Sequence, residues 1–325
     1  MLTRRHLLGG LAGLTTGFAV RPTYSAEFPS RPIVIVVPYP AGGPVDAVAR
    51  LIAQDAAAEL GQPIAVDNRS GGSGVIGTVA VARAEPDGHM LVLGTSQTHI
   101  TNHILVKNCP YHGIKDFAPV CGIAEIPHVL VVRKDLPVTS AAEFLAFAKR
   151  SPAALTCGST GTGSASHLTA ELFKVKAGVD LVHVPFRGAA PMITELLAGR
   201  IDFSFATLAG VAAHIEAGSV RALAVASDKR SPRIKALPTL KETGISGVEA
   251  DAWIALFAPA KTPAPVVDRL HRFVTNALQK SPAVSLFDAQ GMRAAITSPH
   301  ELMSFLPSED RKWASVIETA HIAAE

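Results

Sequence analysis

Short apolar runs alternate with amphipathic stretches along most of this 325-residue chain. Runs at 33–37, 64–66, 90–94, 119–124, 128–132, 154–157, 181–184, 201–205, 221–226 and 254–258 have the length and composition of buried strands. Helical spacing covers 45–60, 75–83, 98–105, 140–149, 164–177, 189–198 and 208–216. The first helix is the clearest, with Val45, Val48, Leu51, Ile52 and Leu60 on one face and Arg50, Gln54 and Glu59 on the other. From Pro265 the pattern is mostly helical, through Val266, Val267, Leu270, Phe273, Val274 and Leu278. Helix starts are expected at Pro265 and Ser298-Pro299. This alternation predicts an α/β fold whose sheets are mostly parallel and flanked by helices.

The pattern breaks near Glu125-Ile126-Pro127 and again near Ser246-Gly247-Val248-Glu249. Two such crossings imply a discontinuous first domain, 27–126 with 250–325, around a continuous second, 127–249. A ligand cleft would lie between them and close by hinge motion. Residues 1–26 read differently. Arg4-Arg5 precedes a moderately apolar Leu7–Val20, followed by the small residues Thr23, Ser25 and Ala26. That is the pattern of a twin-arginine export signal cleaved after Ser25 or Ala26, and it is too short for a membrane span. The expected location is periplasmic.

The formal charge of +3 then loses its meaning. Arg4, Arg5 and Arg21 leave with the signal, and the remaining basic residues balance the 27 acidic ones. With no basic tract, nothing points to nucleic acid or an anionic membrane surface. No later run is long enough to insert in a bilayer. Hydrophobic residues make up 48% of the chain, enough to bury sizeable cores. Cys109, Cys121 and Cys157 are an odd set for an oxidising compartment. A Cys109–Cys121 disulfide is open on sequence alone, beside the plainer reading of three small buried side chains.

Two loops carry the candidate chemistry. Tyr39-Pro40-Ala41-Gly42-Gly43-Pro44 links the first strand to the first helix. Its glycines let the backbone approach a ligand, Pro44 suits a first helical position, and helix starts attract anions. Ser159-Thr160-Gly161-Thr162-Gly163-Ser164 repeats the design in the second half, before a helix with Leu168, Leu172 and Phe173 on one side. One loop from each half, facing across a cleft, suits a ligand with carboxylate or polar groups at both ends. The competing reading is two ordinary turns with Ser or Thr caps.

Catalytic patterns fit less well. Gly94-Thr95-Ser96-Gln97-Thr98 and Gly158-Ser159-Thr160-Gly161 both miss the nucleophile-elbow spacing, although Ser159, His167 and Asp202 remain a conceivable hydrolase set. Gly72-Ser73-Gly74-Val75-Ile76-Gly77 matches a dinucleotide fingerprint, but no acidic residue ends the next strand, where Thr95 and Ser96 stand. His99 and His103 share a helical spacing without completing a metal set and read as surface residues. Arg187 is a possible carboxylate partner or a surface charge. Trp253 and Trp313 read as core or hinge anchors, and Trp253, beside the second crossing, is also a candidate ligand contact.

The chain resembles the Bug-type extracytoplasmic solute receptors of tripartite tricarboxylate transporters. The resemblance rests on Pro29-Ser30-Arg31-Pro32-Ile33, Pro40-Ala41-Gly42-Gly43, Asp67-Asn68-Arg69, Pro86-Asp87-Gly88 and Asp116-Phe117-Ala118-Pro119-Val120. It continues through Ser159 to His167, Glu171-Leu172-Phe173, His183-Val184-Pro185-Phe186, Ala222-Leu223-Ala224, Lys229-Arg230-Ser231, Leu237-Pro238-Thr239, Glu242-Thr243-Gly244, Trp253 and Ala258-Pro259. It implies a type II-like two-domain periplasmic binding fold closing on one small organic acid, with no catalysis and no cofactor. By that resemblance the ligand-binding residues are Tyr39, Ala41, Gly42, Gly43, Thr95, Gln97, Ser159, Thr160, Gly161, Gly163, Phe186 and Thr207. The loop at Ala41-Gly42-Gly43 would hold a carboxylate through main-chain N–H groups. The expected partners are a small carboxylate and the membrane permease subunits of such a transporter, the receptor being a monomer. A sensory role without a permease stays open. Three departures stand out: Ser70 where proline is usual after Asp-Asn-Arg, Phe186 where tyrosine is common, and Thr207 where a more polar residue often stands. The last two lean toward a partly apolar or smaller acid.

Overall fold

The structure, a computed structural model, describes residues 28–150 and 155–323. The export signal and its cleavage site lie outside them. The chain opens with β1 (Ile33–Val37) and α1 (Pro44–Leu60). Pro44 sits at the first helical position, and Gly61, at φ 69°, ends the helix by donating its N–H to Ala57 O. β2 (Ile64–Asn68), α2 (Val75–Ala82) and β3 (Met90–Thr95) follow, then a wide helical turn (Gln97–Thr101) running into α3 (Asn102–Leu105). Next come β4 (Phe117–Ile126), β5 (His128–Arg133), α4 (Ala141–Arg150), β6 (Thr156–Ser159), α5 (Ala165–Ala177), β7 (Val182–Pro185), α6 (Ala189–Leu197), β8 (Phe203–Thr207), α7 (Leu208–Glu216) and β9 (Val220–Val225). The chain ends with β10 (Ala252–Pro259), α8 (Ala264–Leu278), α9 (Ser281–Ala289), β11 (Arg293–Thr297) and α10 (Pro299–Thr319). At the last helix start, Ser298 and Glu301 form a reciprocal capping box.

The strands divide into a six-stranded sheet, β11-β4-β10-β3-β1-β2, and a five-stranded sheet, β7-β6-β8-β5-β9. Both are mixed, which corrects the expectation of mostly parallel sheets. β1 runs parallel to β2 and β3, and β6 runs parallel to β7 and β8, each joined through a helix. β10 is antiparallel to β3 and β4, β11 to β4, and β5 to β8 and β9. The reversals follow from the crossings. β4 leaves its sheet through the single residue Pro127 and becomes β5 of the other. The chain returns as β10 after Ala250, whose N–H bonds Ala226 O. β5 and β10, each fed from the other sheet, run against the strands beside them, and β11, reached from β10 through α8 and α9, keeps the sense of β10.

Arg293 on β11 ties both crossings together. It pairs with Glu125 before the first crossing and with Asp228 and Asp251 around the second. Further corrections concern single residues. His99 is fully buried rather than on the surface, stacked on Phe257 at 3.9 Å over Gly94. His103, mostly buried, pairs with Asp310 at 2.8 Å. All three cysteines are free thiols, Cys121 and Cys157 buried and Cys109 half-buried. The Gly72–Gly77 run is taken up by packing: a side chain at Gly77 would meet Arg69 O and the Pro38 backbone at the end of β1.

Candidate functional site

A cavity of about 260 Å³ lies between the two sheets. The six-stranded side contributes Tyr39, Val45, Thr95, Ser96, Gln97, Ile126, Ala252 and Trp253. The other contributes His128, Thr160, Ser164–Ser166, Ala189, Met192, Ile193, Phe205–Thr207 and Gly210. None of these wall residues is Lys, Arg, Asp or Glu. What the wall offers instead is helix starts. Val45 belongs to the first turn of α1, Ala165 and Ser166 to that of α5, Ala189 to that of α6, and Gly210 to that of α7.

First-turn amides have no acceptor within their own helix and carry the positive end of its dipole. Serine, threonine or aspartate at the N-cap usually satisfies one of them. Ser164 does this for α5, accepting from His167 N–H. No side chain does so for α1, α6 or α7, whose N-caps are Gly43, Gly188 and Thr207, although the first amide of α7, Leu208 N–H, is taken by Pro127 O. The strands β1, β6, β7 and β8 deliver the starts of α1, α5, α6 and α7 to one crevice at their carboxyl ends. The starts of α5, α6 and α7 therefore favour an anion without a cationic side chain on the wall, while that of α1 is offset by Asp46 in its own first turn.

The sequence-predicted residues divide in two. Tyr39, Thr95, Gln97, Thr160 and Thr207 lie on the wall. Tyr39 Oη lies 2.7 Å from Thr95 Oγ1 and donates to Gln97 Oε1 at 3.3 Å, and burial pushes its pKa up to about 12. Ala41, Gly42, Gly43, Ser159, Gly161, Gly163 and Phe186 are not on the wall. Gly42, at φ 86°, turns its N–H onto Asp46 Oδ2 at 2.8 Å, so that amide serves the loop itself. The second loop is similarly self-satisfied. Thr160 N–H goes to Ser166 Oγ, Gly161 N–H to Ser159 Oγ, and Gly163 N–H to His167 Nδ1. A side chain at Gly163 would press on Leu105 of the opposite unit, and Phe186 packs near Gly158. Arg187 is exposed.

Sequence reasoning passed over Asp46, which is 2% exposed and organises the first loop. Besides Gly42, it accepts from Arg50 Nε at 2.9 Å and Asn68 Nδ2 at 3.0 Å. The hydrogen bond from the Arg50 guanidinium is the main cause that holds its pKa at about 2, against the upward pull of burial. An acid three residues after a helix N-cap is a legible signal. Also missed were Ser96, Ser166, Ala189 and His128. Trp253, left open by the sequence, is on the wall, whereas Trp313 is core and donates to Glu309 Oε2 at 3.0 Å.

The conceivable hydrolase set is not assembled. Ser159 Oγ lies 2.6 Å from His183 Nε2, not from His167, and Ser159 is fully buried. His167 stacks on His183 at 3.7 Å and accepts from Gly163 N–H. Asp202 accepts from Arg133 Nε and from Thr156 N–H at the start of β6. Among the described residues, no helix is long and apolar enough to cross a membrane.

The chain is similar to known proteins over nearly its whole length. A family model described as the tripartite tricarboxylate transporter family receptor matches residues 48–322. Protein BugT of Bordetella pertussis is 34% identical over 317 residues, 97% of each chain. The structure of R. palustris Rpa4515 with adipate superposes with a TM-score of 0.79 at 37% identity, covering 91% of this chain and 99% of that one. MatC from Rhodopseudomonas palustris with bound malate gives 0.74 at 33% identity, covering 89% and 100%. This chain belongs to the receptor family of the tripartite tricarboxylate transporters and is a solute-binding receptor of α/β two-domain fold.

Proposed function

We propose that the chain is a periplasmic receptor that captures a small organic carboxylate between its two sheets and presents it to a membrane permease, without chemical turnover. The observation that carries this reading is the convergence of side-chain-uncapped helix starts on a cavity wall free of charged side chains. Related receptors were seen with adipate and malate, which supports a diacid of similar size. Charge-assisted hydrogen bonds from amides are worth about 1.5–3 kcal/mol each, so three or four of them give about 5–12 kcal/mol before the cost of ordering ligand and lobes, a range that spans the roughly 8 kcal/mol of micromolar binding. Residues 27–126 with 250–325 would form one lobe and 127–249 the other, hinged at Pro127 and just before Ala252.

Binding residues on this reading are Tyr39, Thr95, Gln97, Thr160 and Thr207 from the sequence prediction, joined by first-turn amides of α1, α6 and α7. Ala41, Gly42 and Gly43 act indirectly by shaping the start of α1. Calorimetry and thermal unfolding against four- to six-carbon mono- and dicarboxylates, sugars and metal cations test the reading. At least one carboxylate is expected to bind with micromolar Kd and be recovered unchanged. Stabilisation by sugars or cations alone, or turnover of an ester that vanishes in Ser159→Ala, would contradict it.

A further inference from the structure

His128 is the first residue after Pro127, 2% exposed, and its ring lines the cavity. Its Nδ1 lies 3.1 Å from Ala250 O, on the second crossing. A carbonyl oxygen can only accept, so Nδ1 carries the hydrogen. Burial lowers the ring's pKa to about 4, so at neutral pH it holds one proton, and that proton is committed to Ala250. Nε2 therefore presents a bare lone pair on the side of the ring away from Ala250, and no group among the described residues donates to it.

The rest of the polar wall does not share this character. The hydroxyls of Thr95, Ser96, Thr160, Ser164, Ser166 and Thr207 rotate and can donate or accept. Trp253 Nε1–H can only donate and Gln97 Oε1 already accepts from Tyr39. His128 Nε2 is the wall nitrogen that can only accept, its direction fixed by a backbone carbonyl the ring cannot leave without breaking a tie between the crossings. An ionised carboxylate placed against Nε2 would set lone pair against lone pair with no proton between them. A hydroxyl or ammonium group would complete the bond.

We propose that His128 is a specificity-determining acceptor. It selects, among small carboxylates, those that carry a hydroxyl or ammonium donor beside the carboxylate over the bare diacids of the same length. The proposal rests on the carboxylate reading above and names the ligand class within it. Helix starts hold the carboxylates, and His128 reads the substituent between them. Because its Nδ1 is tied to Ala250, the donor is recognised at the point where both crossings meet.

Titration calorimetry with matched pairs tests it: succinate against malate, succinate against aspartate, and glutarate against 2-hydroxyglutarate. The donor-bearing member of at least one pair is expected to bind about 10- to 100-fold tighter to the unaltered chain, the range for a site built around one donor. His128→Asn keeps an amide donor where Nδ1 stands, and with it the tie to Ala250, but removes the Nε2 acceptor. The difference within the pair is expected to fall below about threefold. His128→Gln, whose amide reaches the Nε2 position, is expected to restore part of it. Equal affinity within every pair for the unaltered chain overturns the proposal while leaving the carboxylate reading intact. So does a preference that persists in His128→Asn with an unchanged unfolding midpoint. Binding of no carboxylate from any pair defeats the carboxylate reading and this proposal together.

Discussion

Asp46→Asn isolates the group that shapes the first loop. The side chain keeps its size, but one accepting oxygen becomes an NH2 that faces donors: Gly42 N–H, Arg50 Nε and Asn68 Nδ2. The wild-type carboxyl stands at about 2 against an ordinary 3.8, chiefly through its hydrogen bond from Arg50. That gap corresponds to about 2 kcal/mol once the solvent screening of the exposed Arg50 side chain is allowed for. The sign follows from the lowered value. The stabilisation is complete above about pH 4, where an unfolded aspartate is ionised, and is lost as pH falls toward 2. By pH 3 about half of it should be gone. Urea denaturation of both proteins at pH 7 and pH 3 reads this directly. Asp46→Asn is expected to be less stable by about 2 kcal/mol at pH 7 and by about 1 kcal/mol at pH 3. Equal stability at pH 7, or a deficit that does not change with pH, would refute an ionised Asp46 as the organiser of the loop.

Trp253 and Trp313 are the chain's two tryptophans, and only Trp253 lines the cavity. The emission change on adding a binding carboxylate should survive Trp313→Phe and vanish in Trp253→Phe; the reverse would move the site. Gly94→Ala drives a methyl into the His99 ring and is expected to cost about 1–3 kcal/mol by urea denaturation, whereas an unshifted midpoint would contradict the packing of that ring over β3. Arg293→Met leaves Asp251 and Glu125 without their shared cation, so a loss of about 3 kcal/mol is expected at pH 7, and an unaffected midpoint would show that the crossings hold without it.

The helices and most strands are legible because their apolar periodicity is also their burial pattern. α1 runs where Val45, Val48, Ile52 and Leu60 place it, and β4 and β5 are separated by the proline that breaks the run. β11 was illegible. Arg293–Thr297 is a short edge strand of partly exposed positions, and it pairs only with β4. Strand direction was also hidden, since no local pattern tells which sheet receives β5 or β10. At the site, the glycine loops signal helix starts correctly, yet periodicity cannot show which amides are already taken. Asp46 claims Gly42, and Ser166, Ser159 and His167 claim those of the second loop. His128 is silent in sequence because its role comes from Ala250, more than a hundred positions away. His99 was misplaced because its ring is accommodated by Gly94 and Phe257, contacts that only the folded sheet supplies.

Two features define the site: where the acid sits and what grips it. A crystal structure with the tightest-binding carboxylate answers both. Its oxygens are expected in the cavity beside Tyr39, Thr207 and Trp253, within hydrogen-bond distance of first-turn amides of α1, α6 or α7. A carboxylate found instead against Lys134, Arg221 and Lys235 in the groove along β9, or held in the cavity by no main-chain N–H, would contradict the account.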